Sequence, residues 1–187
     1  MRVTVCELRD EPAAFAEDWR HLVAHVAEQH SYLVILPEMA FASWFAASPI
    51  FDESIWQAAV AAHDAWLARL AELAPATVVA SRPIDGPDGR RNEGFIWSPA
   101  ENYRPVRQKR YLPDEEGYWE ARWYDRGDEK FPLAQVGAAS LGLLICTELW
   151  FQEQARAYGR SGAHLIAVPR ATGKPTLEKW LVGGRAE

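Results

Sequence analysis

Cysteine is scarce: the 187 residues contain two, Cys6 and Cys146, far apart and each in a strand-like context. No CxxC pair or paired His/Cys spacing is present, and the five histidines are scattered, so nothing suggests a metal site. No apolar run approaches the roughly 20 residues that a membrane helix needs. The opening "MRVTVCELRD" lacks the apolar core of a secretion signal. Basic residues are the minority, 20 Lys+Arg against 26 Asp+Glu, for a formal net charge of −6. That balance argues against nucleic acid as a partner, since phosphate binding needs a basic face. The one basic cluster, "RPVRQKR" (104–110), reads as a solvated strand. Internal repeats and low-complexity segments are absent. These absences predict a cytoplasmic chain with free thiols, no membrane partner and no nucleic-acid partner.

What is present is apolar and aromatic. Nearly half of the residues are hydrophobic and nine are tryptophan, enough to bury a substantial core. The length suits one domain, 1–187. "RVTVCEL" (2–8) alternates as a strand. Asp10 then caps a helix that has Pro12 in its first turn. Phe15, Trp19, Leu22, Val23 and Val26 recur at helical spacing. "YLVILPE" (32–38) and "TVVAS" (77–81) read as buried strands. Between them the pattern predicts a helix over 54–73, with Ile55, Val60, Leu67 and Leu70 facing the core. "IDGPDGRRN" (84–92) is turn chemistry, followed by strands at 94–98 and 103–109. Residues 110–130 read as a long loop of the kind that is often functional. Strands follow at 131–136 and 140–146, a helix over 150–158, a strand at 164–169 and a last helix from about Lys174. Strands alternate with helices at both ends and with turns in the middle, which predicts an α/β (α+β) arrangement with a buried sheet and helices outside.

Three strand ends each carry one reactive group: Glu38 after "LVILP", Lys109 closing "YRPVRQK" and Cys146 closing "LGLLI". Sites in α/β sheets gather beyond the carboxyl ends of strands. The three groups are chemically complementary. A thiol needs a base to become a nucleophile, a carboxylate can take that proton, and an ammonium can stabilise an oxyanion. Each also has a plain structural reading. A strand cysteine is ordinarily a small buried hydrophobe, as we read Cys6. Lys109 lies among three arginines. Glu38 can cap a turn, although a carboxylate directly after a buried run is costly unless it is paired. A helix beginning near Trp150 would bring its positive end toward Cys146 and favour a thiolate.

The segments "LVILPEMAF", "RQKRYLPDEEG" and "LGLLICTELWF" resemble, in that order, the glutamate, lysine and cysteine blocks of the nitrilase, or carbon–nitrogen hydrolase, superfamily. "GAHLIAVPRATG" is similar to the strand and pocket loop that follow in that family. The resemblance implies a four-layer α-β-β-α sandwich with Glu38 as general base, Lys109 as oxyanion stabiliser and Cys146 as nucleophile. It further implies the Thr147 backbone N–H as a second oxyanion donor, and an additional glutamate shortly after the lysine, best matched by Glu116 with Glu115 as competitor. Glu148 reads as structural, and His164 as a strand-edge residue. Arg170 and Thr172 fall in the loop that contacts substrate in relatives, and Arg170 suits a substrate carboxylate. Trp150 and Tyr111 are among the aromatics placed to wall a small pocket.

The implied reaction is hydrolysis of a non-peptide C–N bond in a small amide or N-carbamoyl compound, with no cofactor. Two alternatives use the same residues differently: an inactive domain serving as a binding or assembly module, or an acyltransferase to an amine. Domains of this family are usually longer, so the resemblance implies that the last strands are missing and that sheet edges stay open. It also implies a homo-oligomer.

Overall fold

The computed structural model describes residues 1–171. The helix expected from Lys174 lies outside the described residues, as does Thr172. Two sheets pack face to face. The first has the order β1 (Val3–Val5), β2 (Leu33–Ile35), β3 (Thr77–Gly86), β4 (Gly89–Ser98) and β5 (Asn102–Gln108). Its first three strands run parallel and the β3–β4–β5 portion is antiparallel. The second sheet joins β6 (Ala134–Val136), β7 (Ala139–Leu143) and β8 (Leu165–Ala167).

Strand periodicity sorts the core. Leu33, Ile35, Val79 and Ile96 of the first sheet meet Ala134, Val136, Leu141, Leu143 and Ala167 of the second. The opposite face of the first sheet, with Val34, Val78, Ala80, Phe95 and Trp97, packs on Phe15, Trp19, Leu22 and Val26. Those four residues form the buried stripe of α1 (Pro12–Gln29). A second helix, α2 (Glu53–Leu67), continues into a 3₁₀ turn over Ala68–Leu73. On the far side, α4 (Gln152–Arg160) covers the second sheet through Tyr158, whose hydroxyl donates to the Leu143 carbonyl at 3.1 Å. The layers are therefore helix, sheet, sheet, helix, as the family resemblance implied.

Helix and sheet approach closely at Gly142, where a Cβ would lie 2.6 Å from two ring atoms of Tyr158. Gly142→Ala is expected to destabilise the chain by about 1–3 kcal/mol through overpacking. Thermal unfolding would show it, and a second substitution, Tyr158→Leu, should recover part of the loss.

Several local expectations change. Glu11, not Asp10, caps α1: its carboxylate accepts from the N–H groups of Ala13 and Ala14. In the second helix and its 3₁₀ continuation Val60, Leu67 and Leu70 pack on the core as expected, but Ile55 does not. Ile55 is 47% exposed while Trp56, Ala59 and His63 are buried, because the large Trp56 takes the core-facing position. The segment 84–92 is mostly strand, since β3 and β4 form a long hairpin with Gly86 opposite Gly89. The 110–130 stretch contains a short helix, α3 (Glu120–Trp123), held by a third core cluster that includes Phe45, Trp56, Trp123 and Tyr124.

Candidate active site

Glu38, Lys109 and Cys146 leave their strands within a few residues of one another in space. Glu38 follows β2 and Pro37. Lys109 follows β5 directly, its N–H donating to the Asn92 carbonyl at 2.8 Å and its carbonyl accepting from Gly127 at 2.9 Å. Cys146 lies three residues beyond β7, at the start of a 3₁₀ turn over Cys146–Trp150, and its N–H donates to the Pro169 carbonyl at 2.9 Å. The backbone is left-handed at Cys146 (φ 47°) and at Met39 (φ 53°), the residue after Glu38. Side chains with a Cβ rarely adopt that region, and such residues concentrate at functional sites.

The three side chains form one buried cluster. Lys109 Nζ donates to Glu38 Oε1 at 2.9 Å, and both side chains are fully buried. Its other hydrogen bonds go to the two carboxylate oxygens of Glu120, at 2.8 and 2.7 Å. The Cys146 thiol lies within electrostatic reach of Glu38, Lys109 and Glu120. Glu38 Oε1 also accepts from Asn92 Nδ2 at 2.8 Å, while Oε2 accepts from the Ala171 N–H at 3.3 Å.

Burial and charge set the protonation states. Burial, with the Glu38 and Glu120 carboxylates added, pushes the Cys146 thiol up to about 12 against the opposing pull of Lys109. The thiolate expected from a nearby helix end is therefore not the resting form. Only a short 3₁₀ turn starts at the cysteine, α4 begins six residues later, and burial, with the carboxylates added, keeps the proton on sulfur. For Lys109, burial alone would lower the pKa, but Glu38, Glu120 and Cys146 raise it above the ordinary lysine value. Glu120 is raised by burial and by Glu38, with Lys109 opposing. The cluster thus holds a charged lysine and a neutral thiol around the Glu38 carboxylate, the group among them with a lone pair to accept a proton.

The glutamate that meets the lysine is Glu120. Glu115 and Glu116 are exposed, in the turn where Glu115 bridges to Tyr118. Glu120 had a sequence signal, since "YWEARWY" surrounds a carboxylate with rings, an environment that a charge enters only when paired. Asn92 had none: it sits where turn-forming residues accumulate, and only the tertiary fold makes it a strand residue.

Glu148 has the structural role expected of it. Its carboxylate takes both Nη groups of Arg107, one of them at 2.9 Å, with both residues buried. It also accepts from the N–H groups of Ile145 and Arg110. Arg107, expected on a solvated strand, is buried and ties β5 to the cysteine turn. Tyr111 also joins the two segments. Its ring stacks on Phe151 at 3.7 Å, and its carbonyl accepts from Thr147 Oγ1 at 3.3 Å. Trp150 is 66% exposed and points away from this packing. Arg170 is half-buried between Pro169 and Ala171, which contact Cys146 and Glu38, and its Nε is buried without a hydrogen-bond partner among the described residues. His164 sits at the sheet end, its Nδ1 accepting from Ser140 N at 3.0 Å. Among the described residues no cluster of His, Cys, Asp and Glu suits a metal ion, and no helix is long and apolar enough to cross a membrane.

Known proteins share this architecture. A carbon-nitrogen hydrolase from Helicobacter pylori G27 superposes with a TM-score of 0.74 at 22% identity, covering 92% of this chain and 59% of that one. An amidase from Nesterenkonia sp. superposes with a TM-score of 0.72 at 24% identity, covering 98% of this chain and 68% of that one. At the sequence level, the N-carbamoylputrescine amidase of Arabidopsis thaliana is 34% identical over 76 residues, 41% of this chain and only 25% of that protein. The sequence profile described as carbon-nitrogen hydrolase matches residues 2–186, and the chain belongs to that family.

Proposed function

We propose that this chain hydrolyses a non-peptide C–N bond of a small amide or N-carbamoyl compound through a thioester on Cys146. The observation that carries the reading is the fully buried contact of Lys109 with Glu38 at 2.9 Å, with the buried Cys146 thiol within electrostatic reach of both. A thiol held at about 12 needs a base at the moment of attack. Glu38 takes the proton as sulfur bonds to the substrate carbonyl carbon, and the C=O electron pair moves onto oxygen. Lys109 Nζ and the Thr147 N–H stabilise that oxyanion. Collapse of the intermediate breaks the C–N bond, and the nitrogen leaves as ammonia or an amine with the proton from Glu38. Water then attacks the thioester as Glu38 takes one of its protons, and the thiol is reprotonated as the acid departs. Glu120 keeps Lys109 charged and fixed throughout. Every step uses these side chains and water.

Intact-mass spectrometry after mixing with a panel of amides tests the reading. An acyl adduct that disappears in Cys146→Ala supports it, and release of ammonia separates hydrolysis of primary amides from acyl transfer. Well-folded protein that forms no adduct with any substrate favours the inactive assembly module instead.

The substrate carries an acidic group, in this reading bound by Arg170. A buried guanidinium donor without a partner is unfavourable, and a carboxylate fits it bidentately. A hydrogen bond to a charged group contributes about 1.5–3 kcal/mol. Arg170→Ala is therefore expected to raise KM for acidic amides about 10- to 100-fold with kcat little changed. An unchanged KM would rule out this role.

A further inference from the structure

Asn92 touches the candidate base yet does not belong to the Glu–Lys–Cys set. It lies in β4, 1% exposed, between β3 and β5. Its Nδ2 donates to Glu38 Oε1 at 2.8 Å, and its carbonyl holds the Lys109 N–H at 2.8 Å. Its Oδ1 is buried with no hydrogen-bond partner among the described residues. Turning the amide over would aim that oxygen at a carboxylate, which is repulsive, so the orientation is dictated by Glu38. A buried acceptor left unmet on that account needs an explanation beyond packing.

The distribution of donors on Glu38 supplies one. Oε1 accepts from both Lys109 Nζ, at 2.9 Å, and Asn92 Nδ2, at 2.8 Å. Oε2 has the longer bond, from the Ala171 N–H at 3.3 Å. We propose that Asn92 is a positioning residue for the base: with Lys109 it occupies Oε1, fixes the carboxylate plane and leaves Oε2 as the oxygen that accepts the Cys146 proton. In that step the S–H bond breaks, an O–H bond forms at Oε2, and the sulfur keeps its electron pair for attack on the carbonyl carbon. Without Asn92 the carboxylate can rotate about its last torsion, and either oxygen can face the thiol. This inference rests on the catalytic reading of Glu38 and Cys146 given above.

The titratable groups that interact electrostatically with Glu38 are Lys109 after β5, which contacts it, Glu120 in α3, the Cys146 thiol and the Tyr124 hydroxyl. A new carboxylate at 92 adds to the negative ones among them, so Asn92→Asp should move the acid limb of reactivity to higher pH. The test uses iodoacetamide and needs no known substrate. The rate of alkylation at Cys146 is followed by peptide mass spectrometry across pH, with Cys146→Ala and the Cys6 peptide as controls. Asn92→Ala is expected to slow alkylation about tenfold or more at pH 7. Asn92→Asp is expected to displace the acid limb upward by about one pH unit or more, a change that loosened packing alone does not produce. An unmoved limb in Asn92→Asp, with normal modification of the unsubstituted chain, overturns the role of Asn92 alone. Failure of Cys146 to react in the unsubstituted chain overturns the nucleophile reading and this role with it.

Discussion

Glu38→Gln should slow acyl-enzyme formation about a thousandfold while leaving the chain folded. The magnitude follows from two opposing effects. A thiol at about 12 is ionised in only about one molecule in 10⁵ at pH 7, so a reaction limited to free thiolate would be that much slower. The same carboxylate, however, helps to hold the thiol up, and removing its charge returns part of the loss. The glutamine keeps an oxygen that can accept from Lys109 and Asn92, so the buried ammonium retains that partner as well as Glu120. Single-turnover adduct formation by intact mass, alongside a thermal melt, measures both halves. A loss smaller than about tenfold with an unchanged melt would remove Glu38 from the role of base.

Glu148→Ala should produce the largest loss of stability. It strands the Arg107 guanidinium, whose side chain is 1% exposed, and frees the N–H groups of Ile145 and Arg110 from their acceptor. Breaking a buried ion pair by removing one partner costs about 3–5 kcal/mol. At about 2–4 °C per kcal/mol, the melting temperature should fall by roughly 6–20 °C. The damage should not stay local, because Glu148 fixes the turn that begins at Cys146, so alkylation of Cys146 should slow as well. Replacing both partners together, Arg107→Met with Glu148→Leu, should recover most of the melting temperature and none of the turn geometry. A fall of less than 2 °C for Glu148→Ala would mean that the pair is hydrated in solution.

The sequence carried most of the layer architecture because buried strands and helix faces have periods that can be read locally. "LVIL" and "LGLLIC" are apolar throughout because both faces of each strand meet another layer. Glu38 and Cys146 were legible for a related reason, as a charged and a nucleophilic residue directly after such runs, whereas Lys109 closes a polar strand among arginines and is singled out by its resemblance to the family's lysine block. The partners of these groups were not legible. Asn92 and Arg107 earn their places through cross-strand neighbours far away in the chain, and nothing in their own surroundings separates them from turn or surface residues. The extra glutamate was sought at Glu116 because that position follows the lysine at short range. Chain direction through α3 brings Glu120 back to Lys109 instead. The phase of α2 failed on one residue, Ile55, where apolarity suggested a core position that Trp56 occupies.

The left-handed backbone at Cys146 has a consequence for anyone who engineers this chain. An L-residue in that conformation gives up about 1–2 kcal/mol that glycine would not. A library ranked by heat resistance would therefore tend to enrich Cys146→Gly, whereas at Met39, buried in the third core cluster, the lost packing outweighs the relieved strain. A screen of that kind rewards the loss of the sulfur, so hardening this scaffold means freezing position 146 before selection begins.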